Sequence, residues 1–120
     1  MLYTSYFAQL KNLSNDIVPI SICGKAPSWY DRLQYKKLAP KHGFFMEWKR
    51  NHDNDFYIKH FNEEVLNLLN VNNVIKDLKL LVPDKSIALI CYEKPEDFCH
   101  RHLVAKWFNE NGVNCIEWIR

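Results

Sequence analysis

The chain has 120 residues, a length typical of one domain, and its 48% hydrophobic and 25% charged residues match the composition of folded globular proteins. This composition excludes disordered, collagen-like and low-complexity classes. Sixteen Lys and Arg residues against fourteen Asp and Glu residues give a net charge of +2, too balanced to indicate nucleic-acid binding by itself. No apolar run approaches the roughly 20 residues that span a bilayer, and no linker divides the chain. We therefore expect a single domain over residues 1–120 and no membrane partner.

The first half of the chain carries weak structural signals. Residues 3–13 show a weak helical pattern. Residues 17–23 are apolar and β-branched, which predicts a buried strand, and Pro19 within it suits an edge strand because it lacks an N–H. A short helix is predicted at residues 29–38. Residues 44–48 fit either a loop or a helical turn.

The second half carries a clearer alternation of helices and strands. The pattern predicts a helix from Asp55, a helix at 74–81, a strand at 86–91, a helix from Pro95 that ends before Gly112, and a strand at 113–119. The last three elements form a βαβ unit, whose strands are parallel and whose crossover is right-handed. The predicted fold class is α/β: a small three-layer, Rossmann-like parallel sheet flanked by helices, with three identified strands and room for a fourth.

Reactive side chains follow two of the predicted strands. The first strand ends at Cys23, with Lys25 shortly after it, and the second ends at Cys91, followed by Tyr92 and Glu93. Ligands of open parallel sheets bind beyond the carboxyl ends of the strands, so these groups converge if the two strands are neighbours. Glu93 could then act as a general base, or it could be a solvated connector residue.

The densest reactive segment is Cys99-His100-Arg101-His102, in the predicted last helix. A thiol near a helix N-terminus, an imidazole and a guanidinium supply a nucleophile, an acid or base, and an anion-binding group. The alternative is that Arg101 pairs with Asp97 one turn earlier while Cys99 packs in the core. Cys99 and His102 share a helix face, but structural zinc usually requires tight cysteine pairs, and none is present. No metal and no cofactor are predicted.

A basic–aromatic segment occupies the middle third of the chain, residues 35–50. Cationic side chains alternate there with aromatic ones: Lys36, Lys37, Lys41, Lys49 and Arg50 with Tyr35, Phe44, Phe45 and Trp48. This mixture suits single-stranded nucleic acid, through phosphate contacts and base stacking. The balanced total charge favours the alternative, a solvated face whose aromatic residues turn into the core.

The stretch Leu89–His102 resembles domain-of-unknown-function family 488. Its pattern is a hydrophobic strand, a short acidic connector, and Cys-His-Arg opening a helix. The resemblance implies an α/β fold and a site around the residues Cys91, Glu93, Cys99, His100 and Arg101, without assigning a reaction. Many members carry an Asp and an Arg at the end of the first strand, where this chain has Ser21 to Gly24, with Lys25 as the nearest cation.

Together these features predict a small enzyme, a hydrolase or group transferase, acting on a nucleotide, a nucleic-acid base or a phosphorylated small molecule. Glu93, His100, Cys91 and Cys99 are the candidate catalytic residues. The predicted ligand-binding residues are Lys25, Ser28, Tyr92 and Arg101. The alternative is a non-catalytic domain that binds nucleic acid or another protein.

The N-terminal residues, the cysteines and the aromatic content bear on the cellular location and on the oligomeric state. The N-terminus has no pattern of a secretory signal, and the four cysteines are widely spaced, which favours reduced thiols and a cytoplasmic location. Four tryptophans and seven phenylalanines leave enough apolar surface for a homodimer, although they are equally expected in the core.

Overall fold

The computed structural model describes all 120 residues, Met1–Arg120. The strands are β1 (Leu2–Tyr6), β2 (Ile17–Ser21), β3 (Ser86–Cys91) and β4 (Cys115–Glu117). The α-helices are α1 (His42–Asn51), α2 (Asn54–Glu64), α3 (Val71–Leu81) and α4 (His100–Glu110). Three short 3-10 helices lie at Phe7–Asn12, Lys36–Leu38 and Leu66–Leu68. Every helix is too short or too polar to cross a bilayer.

The four strands form one all-parallel sheet in the order β2-β3-β1-β4. This confirms the predicted α/β fold class and the parallel βαβ unit formed by β3, α4 and β4. The fourth strand for which the sequence leaves room is β1, which pairs with β3 on one side and with β4 on the other. β2 is an edge strand, so Pro19 has one unpaired side where its missing N–H costs no ladder bond.

The sheet separates two cores of unequal size. Side chains of β3 alternate between them: Ile87 and Leu89 join the larger core, whereas Ala88 and Ile90 join the smaller one. All four α-helices contribute buried residues to the larger core. The smaller core is covered by the 3-10 helix that contains Phe7 and by loops. The three layers are therefore helices, sheet, and a thin layer of 3-10 helix and loops.

Two helices predicted in the first half are wrong. Residues 3–13 form β1 and a 3-10 helix, because the backbone at Leu2–Tyr6 pairs with strands on both sides. Residues 29–38 are mostly irregular because their backbone bonds to the edge of β2: Ser21 N–H donates to Leu33 O at 2.9 Å, and Tyr35 N–H donates to Ser21 O at 2.8 Å. Pairing across the sheet thus outweighs the local helical pattern.

The helices of the second half differ from the prediction mainly at their beginnings. Asp53 caps α2 by accepting from two backbone N–H groups, and Asn70 caps α3 in the same way, so α3 begins before residue 74. The ambiguous residues 44–48 lie within α1. The last helix begins at His100 and not at Pro95, because residues 95–98 form a turn after β3.

The ends of β2 and β3 are held together at one edge of the sheet. Ile22 N–H, just past β2, donates to Ile90 O at 3.1 Å. The two strands are therefore neighbours in the register that brings Cys23 and Cys91 to the same edge. This meets the condition under which the sequence predicts converging side chains.

One hydrogen bond connects the segment after β2 to α3 and makes the stability of the fold depend on pH. The Tyr35 hydroxyl donates to Asp77 Oδ2 at 2.6 Å, and this bond holds the pKa of the Asp77 carboxyl below its ordinary 3.8. A depressed carboxyl pKa stabilises the fold above the unfolded-state value, and this contribution is lost as the pH falls through the folded-state value.

We expect Tyr35→Phe to be less stable than wild type at neutral pH, with the difference shrinking as the pH falls below about 3.8. Urea-unfolding midpoints on either side of that pH measure the effect. Lys37→Ala is the control, since Lys37 lies 3.4 Å from the same Asp77 oxygen but leaves the tyrosine bond intact. A Tyr35→Phe difference that stays constant with pH would contradict the assignment.

Candidate functional site

A cavity of about 850 Å³ opens at the carboxyl edge of β2 and β3. Its wall includes six of the eight side chains that the sequence predicts as catalytic or ligand-binding: Lys25, Cys91, Tyr92, Glu93, Cys99 and His100. The remaining two, Ser28 and Arg101, are not part of the wall. The cavity is thus the place where most of the predicted chemistry meets.

A directed hydrogen-bond chain runs through the buried end of the cavity. His100 Nε2 lies 2.7 Å from Ile22 O, and a carbonyl oxygen only accepts, so Nε2 carries a hydrogen. In the neutral ring Nδ1 is then an acceptor. Cys91 Sγ lies 3.4 Å from that Nδ1, so its thiol donates to the imidazole. The Cys91 thiol therefore lies beside the His100 ring, whose tautomer is fixed by the hydrogen bond to the Ile22 carbonyl.

Two further thiols surround Cys91. Cys99 Sγ donates to Cys91 Sγ at 2.6 Å, and Cys23 Sγ donates to Ile90 O at 3.8 Å. The neighbouring Cys23 thiol and burial raise the pKa of Cys91, and the Cys91 thiol and burial raise that of Cys99. Together with Cys115, all four cysteines are free and buried, as their spacing predicts.

The loops after β2 and β3 meet across the cavity mouth. The Tyr92 hydroxyl donates to Lys25 O at 2.7 Å, while the Tyr92 ring stays 48% exposed and packs edge-on against Phe7 at 5.0 Å. Glu93 is exposed, and its carboxylate makes no hydrogen bond or salt bridge with the protein. It is therefore available to a ligand in the cavity.

Arg101 does not reach the cavity, which corrects its prediction as a ligand-binding residue. Its side chain is 0% exposed and donates to both Glu117 oxygens, at 3.1 and 3.0 Å. A third bond goes to Glu93 O at 2.6 Å, and Thr4 Oγ1 donates to Glu117 Oε1 at 2.7 Å. The guanidinium therefore joins α4 to β4, to β1 and to the loop after β3. Asp97, the alternative partner, makes no salt bridge with it.

Two other predicted features of this region lie elsewhere. Ser28 is exposed in the loop after β2, outside the cavity wall. His102 belongs neither to the cysteine–histidine cluster nor to the cavity wall, and its Nε2 is buried without a hydrogen-bond partner. Burial lowers the pKa of His102. Neither residue contributes to the candidate site.

The basic–aromatic segment lines the same cavity, which the sequence does not predict. Four aromatic rings form one wall: Phe45, Trp48, Tyr57 and Phe98. Their ring centres are 5.0 Å apart for Tyr57 and Phe98, and 5.6 Å apart for Trp48 and Phe98. The alternation of lysines and aromatics in residues 35–50 is the sequence signal for Phe45 and Trp48, whereas Tyr57 and Phe98 lie outside that segment. Only the fold shows that this wall faces Cys91.

The junction between α1 and α2 holds this wall in place. α1 ends at Asn51, and the next residue, His52, adopts the left-handed conformation at φ 53°. Trp48 Nε1–H then donates to Asn54 Oδ1 at 3.0 Å, across the junction. The indole is thus oriented by α2 while its ring packs on Tyr57 and Phe98.

The charge of the cavity wall favours an anion. Lys25, Lys36 and Lys49 contribute positive charge, and Glu93 is the one carboxylate. None of the three lysines forms a salt bridge within the protein. By contrast, Lys37 pairs with Asp77, and Arg50 pairs with Glu47 on the surface. Of the segment's cations without a salt bridge, Lys36 and Lys49 line the cavity, and Lys41 lies outside it.

An all-parallel α/β sheet with a cysteine–histidine cluster at its carboxyl edge defines the class of this protein. The family model described as "Active DUF488-N3 subclade" matches residues 10–112, so the chain belongs to the DUF488 family. No curated protein and no solved structure matches the chain.

The burial of Arg101 gives a stability prediction. We expect Arg101→Ala to lower the free energy of unfolding by about 3 kcal/mol, since removing one partner leaves the Glu117 carboxylate largely buried and unpaired. Urea unfolding followed by circular dichroism measures this. Arg50→Ala is the matched control, because its side chain is 74% exposed and its pair with Glu47 lies in water. Equal midpoints for the two variants would contradict a structural role for Arg101.

Proposed function

We propose that this protein is a small enzyme, a hydrolase or group transferase, whose substrate carries a phosphate and an aromatic base. The observation that carries the proposal is the alignment of Cys91, His100 and the carbonyl of Ile22. A thiol that donates to a histidine with a fixed tautomer is the arrangement of a cysteine nucleophile with its general base.

In this proposal the Cys91 sulfur attacks an electrophilic carbon or phosphorus of the substrate. The thiol proton moves to His100 Nδ1, and the leaving group takes that proton as its bond to the attacked atom breaks. Water then attacks the sulfur-linked group and frees the thiol, which gives hydrolysis. A second acceptor in place of water gives group transfer. Glu93 lines the cavity and its carboxylate makes no hydrogen bond within the protein, so it is the proposed base that activates that water or acceptor.

The cavity wall supports a nucleotide or related phosphorylated ligand. Three unpaired lysines match the charge of a phosphate, and the rings of Trp48 and Phe98 offer a surface for a flat base. Glu96 and Asp97, which would repel a phosphate at the helix N-terminus, precede α4 and lie outside the wall. The word "active" in the description of the matching subclade also agrees with catalysis.

Thermal shifts test ligand binding directly. We expect a mononucleotide to raise the melting temperature, since a ligand at a hundred times its dissociation constant adds about 2.7 kcal/mol. The double variant Lys36→Ala, Lys49→Ala should lose most of this shift. Lys41→Ala is the control, because Lys41 is an exposed lysine of the same segment outside the cavity. Nucleosides and sugar phosphates separate the contributions of base and phosphate.

An equal loss in Lys41→Ala and in the double variant would place binding elsewhere. Arg101→Ala is unsuitable as a probe of binding. It removes a buried ion pair, so a lost thermal shift could come from unfolding of the protein and not from a lost ligand contact.

Turnover of the nucleotide identified in this way tests the catalytic pair. We expect Cys91→Ser to abolish turnover and His100→Gln to reduce it by about 100- to 10,000-fold, the usual effect of losing a general base. Both variants should retain the thermal shift. Cys115→Ser should keep wild-type turnover, since Cys115 is a buried thiol that does not line the cavity. Full turnover in Cys91→Ser would rule out Cys91 as the nucleophile.

A second candidate function is non-catalytic binding of single-stranded nucleic acid, favoured by the joint presence of Lys36, Lys49, Phe45 and Trp48 on one wall. It predicts a thermal shift with short oligonucleotides that exceeds the shift with mononucleotides. It also predicts that Cys91→Ser changes nothing. The same two experiments therefore separate the two functions.

A further inference from the structure

The buried end of the cavity holds more sulfur than a nucleophile and its base require. We propose that Cys91, Cys99 and His100 form a binding site for a thiophilic divalent cation, with zinc as the representative ion. The two sulfurs and one imidazole nitrogen all lie within 4.8 Å of one another, and all three residues are buried.

The donor set matches the chemistry of zinc. Thiolate and imidazole are its preferred protein ligands, at about 2.3 Å for sulfur and about 2.0 Å for nitrogen. Magnesium and calcium prefer oxygen ligands, and the group contains none. Two cysteines and one histidine leave one position of a tetrahedron free, as in sites that keep an exchangeable ligand.

The surroundings of His100 favour a ligand role. A metal-bound histidine usually donates its second ring N–H to a backbone carbonyl or a carboxylate, which fixes the ring and its tautomer. Here Nε2 donates to Ile22 O at 2.7 Å, so Nδ1 carries the lone pair of the ring and lies 3.4 Å from Cys91 Sγ. The same bond anchors the first residue of α4 to the chain just past β2.

The ligands sit on fixed parts of the fold and are open to the cavity. Cys91 ends β3, Cys99 is the N-terminal flanking residue of α4, and His100 begins that helix. All three line the cavity, which gives an ion an entry path and leaves its fourth position facing the space proposed for substrate. Cys23 also lines this wall but lies outside the group of three.

Ion binding requires one local rearrangement. The two sulfurs are 2.6 Å apart, whereas tetrahedral zinc at about 2.3 Å per bond separates two thiolates by roughly 3.7 Å. Rotation of the Cys99 side chain can supply this separation. Both thiols lose their protons to solvent on binding, and the cation balances the two negative charges that burial otherwise disfavours.

Bound zinc would also control the proposed reaction. Cys91 cannot be a free nucleophile while it ligates the ion, and His100 Nδ1 cannot then accept a proton. The metal-bound and catalytic forms exclude each other, so zinc is expected to inhibit. This consequence rests on the proposed function, whereas the binding site itself does not.

Cobalt(II) titration of the reduced, full-length protein tests the site without using activity. We expect one equivalent to produce sulfur-to-cobalt charge-transfer absorption and the visible bands of tetrahedral cobalt, and zinc to abolish both. Cys91→Ser and Cys99→Ser should each lose about half of the charge-transfer intensity, because each removes one of two thiolate ligands. His100→Gln should keep the charge-transfer bands but weaken cobalt binding.

Cys23→Ser and Cys115→Ser are the matched controls and should give the wild-type spectrum. Circular dichroism of every variant establishes that it is folded, and a rise in the melting temperature of wild type with zinc gives a second readout. Absence of charge-transfer bands, or wild-type bands in both Cys91→Ser and Cys99→Ser, would overturn the proposal. The proposal would also be overturned if Cys91 and Cys99 formed a disulfide and the protein bound no cobalt under reducing conditions.

The nucleotide shift is measured in chelator-treated protein, so its outcome is independent of the cobalt spectrum. Cobalt bands without a nucleotide shift would support the metal site and reject the proposed function. A nucleotide shift without cobalt bands would support the proposed function and reject the metal site.

Discussion

The buried ion pair between Arg101 and Glu117 is the constraint on which the geometry of the site depends. The guanidinium holds the first turn of α4 against β4, and through Glu93 O it also holds the loop that follows β3. His100 precedes Arg101 directly, so the position of its ring is set by this attachment together with its own bond to Ile22 O. The buried charge of Arg101 thus helps to position the neighbouring imidazole ring. The desolvation cost of such a pair is offset because each of the three guanidinium nitrogens donates a hydrogen bond.

Two separate sequence signals lead to one cavity because of how the chain is arranged around the sheet. The thiol cluster comes from the carboxyl edge of β2 and β3, whereas the lysines and aromatic rings come mainly from the segment before and within α1. All four α-helices contribute to the larger core on one face of the sheet, and residues of α1 and α2 line the cavity together with residues at the ends of β2 and β3. The wall that could hold a ligand and the groups that could react with it therefore belong to different parts of the chain.

Much of the fold follows from the sequence, and its failures have physical causes. β3 is predicted at its observed residues because a run of buried apolar side chains is a strong local signal. β1 is missed because Thr4 and Ser5 are polar yet fully buried, a state made possible by pairing with strands far along the chain. The beginning of α4 is displaced because proline at 95 suits a turn as well as a helix.

The site could be predicted in part. Residues at the strand ends reach the cavity because parallel topology dictates it, which accounts for Lys25, Cys91 and Tyr92. Arg101 could not be placed, since its partner Glu117 lies in another strand and no local pattern connects them. The three-residue spacing on one helix face pairs Cys99 with His102. In the structure it is His100, the first residue of α4, whose ring contacts the Cys91 thiol.

The strand order has a consequence for how the protein folds. β1 occupies an interior position, yet the residues it pairs with begin at Ile87 and Cys115, far along the chain from β1 itself. Such pairings have high contact order and close late, because a long loop must be ordered before they form. Both partners of β1 follow it along the chain, so during synthesis its backbone groups have no strand to pair with until β3 has emerged.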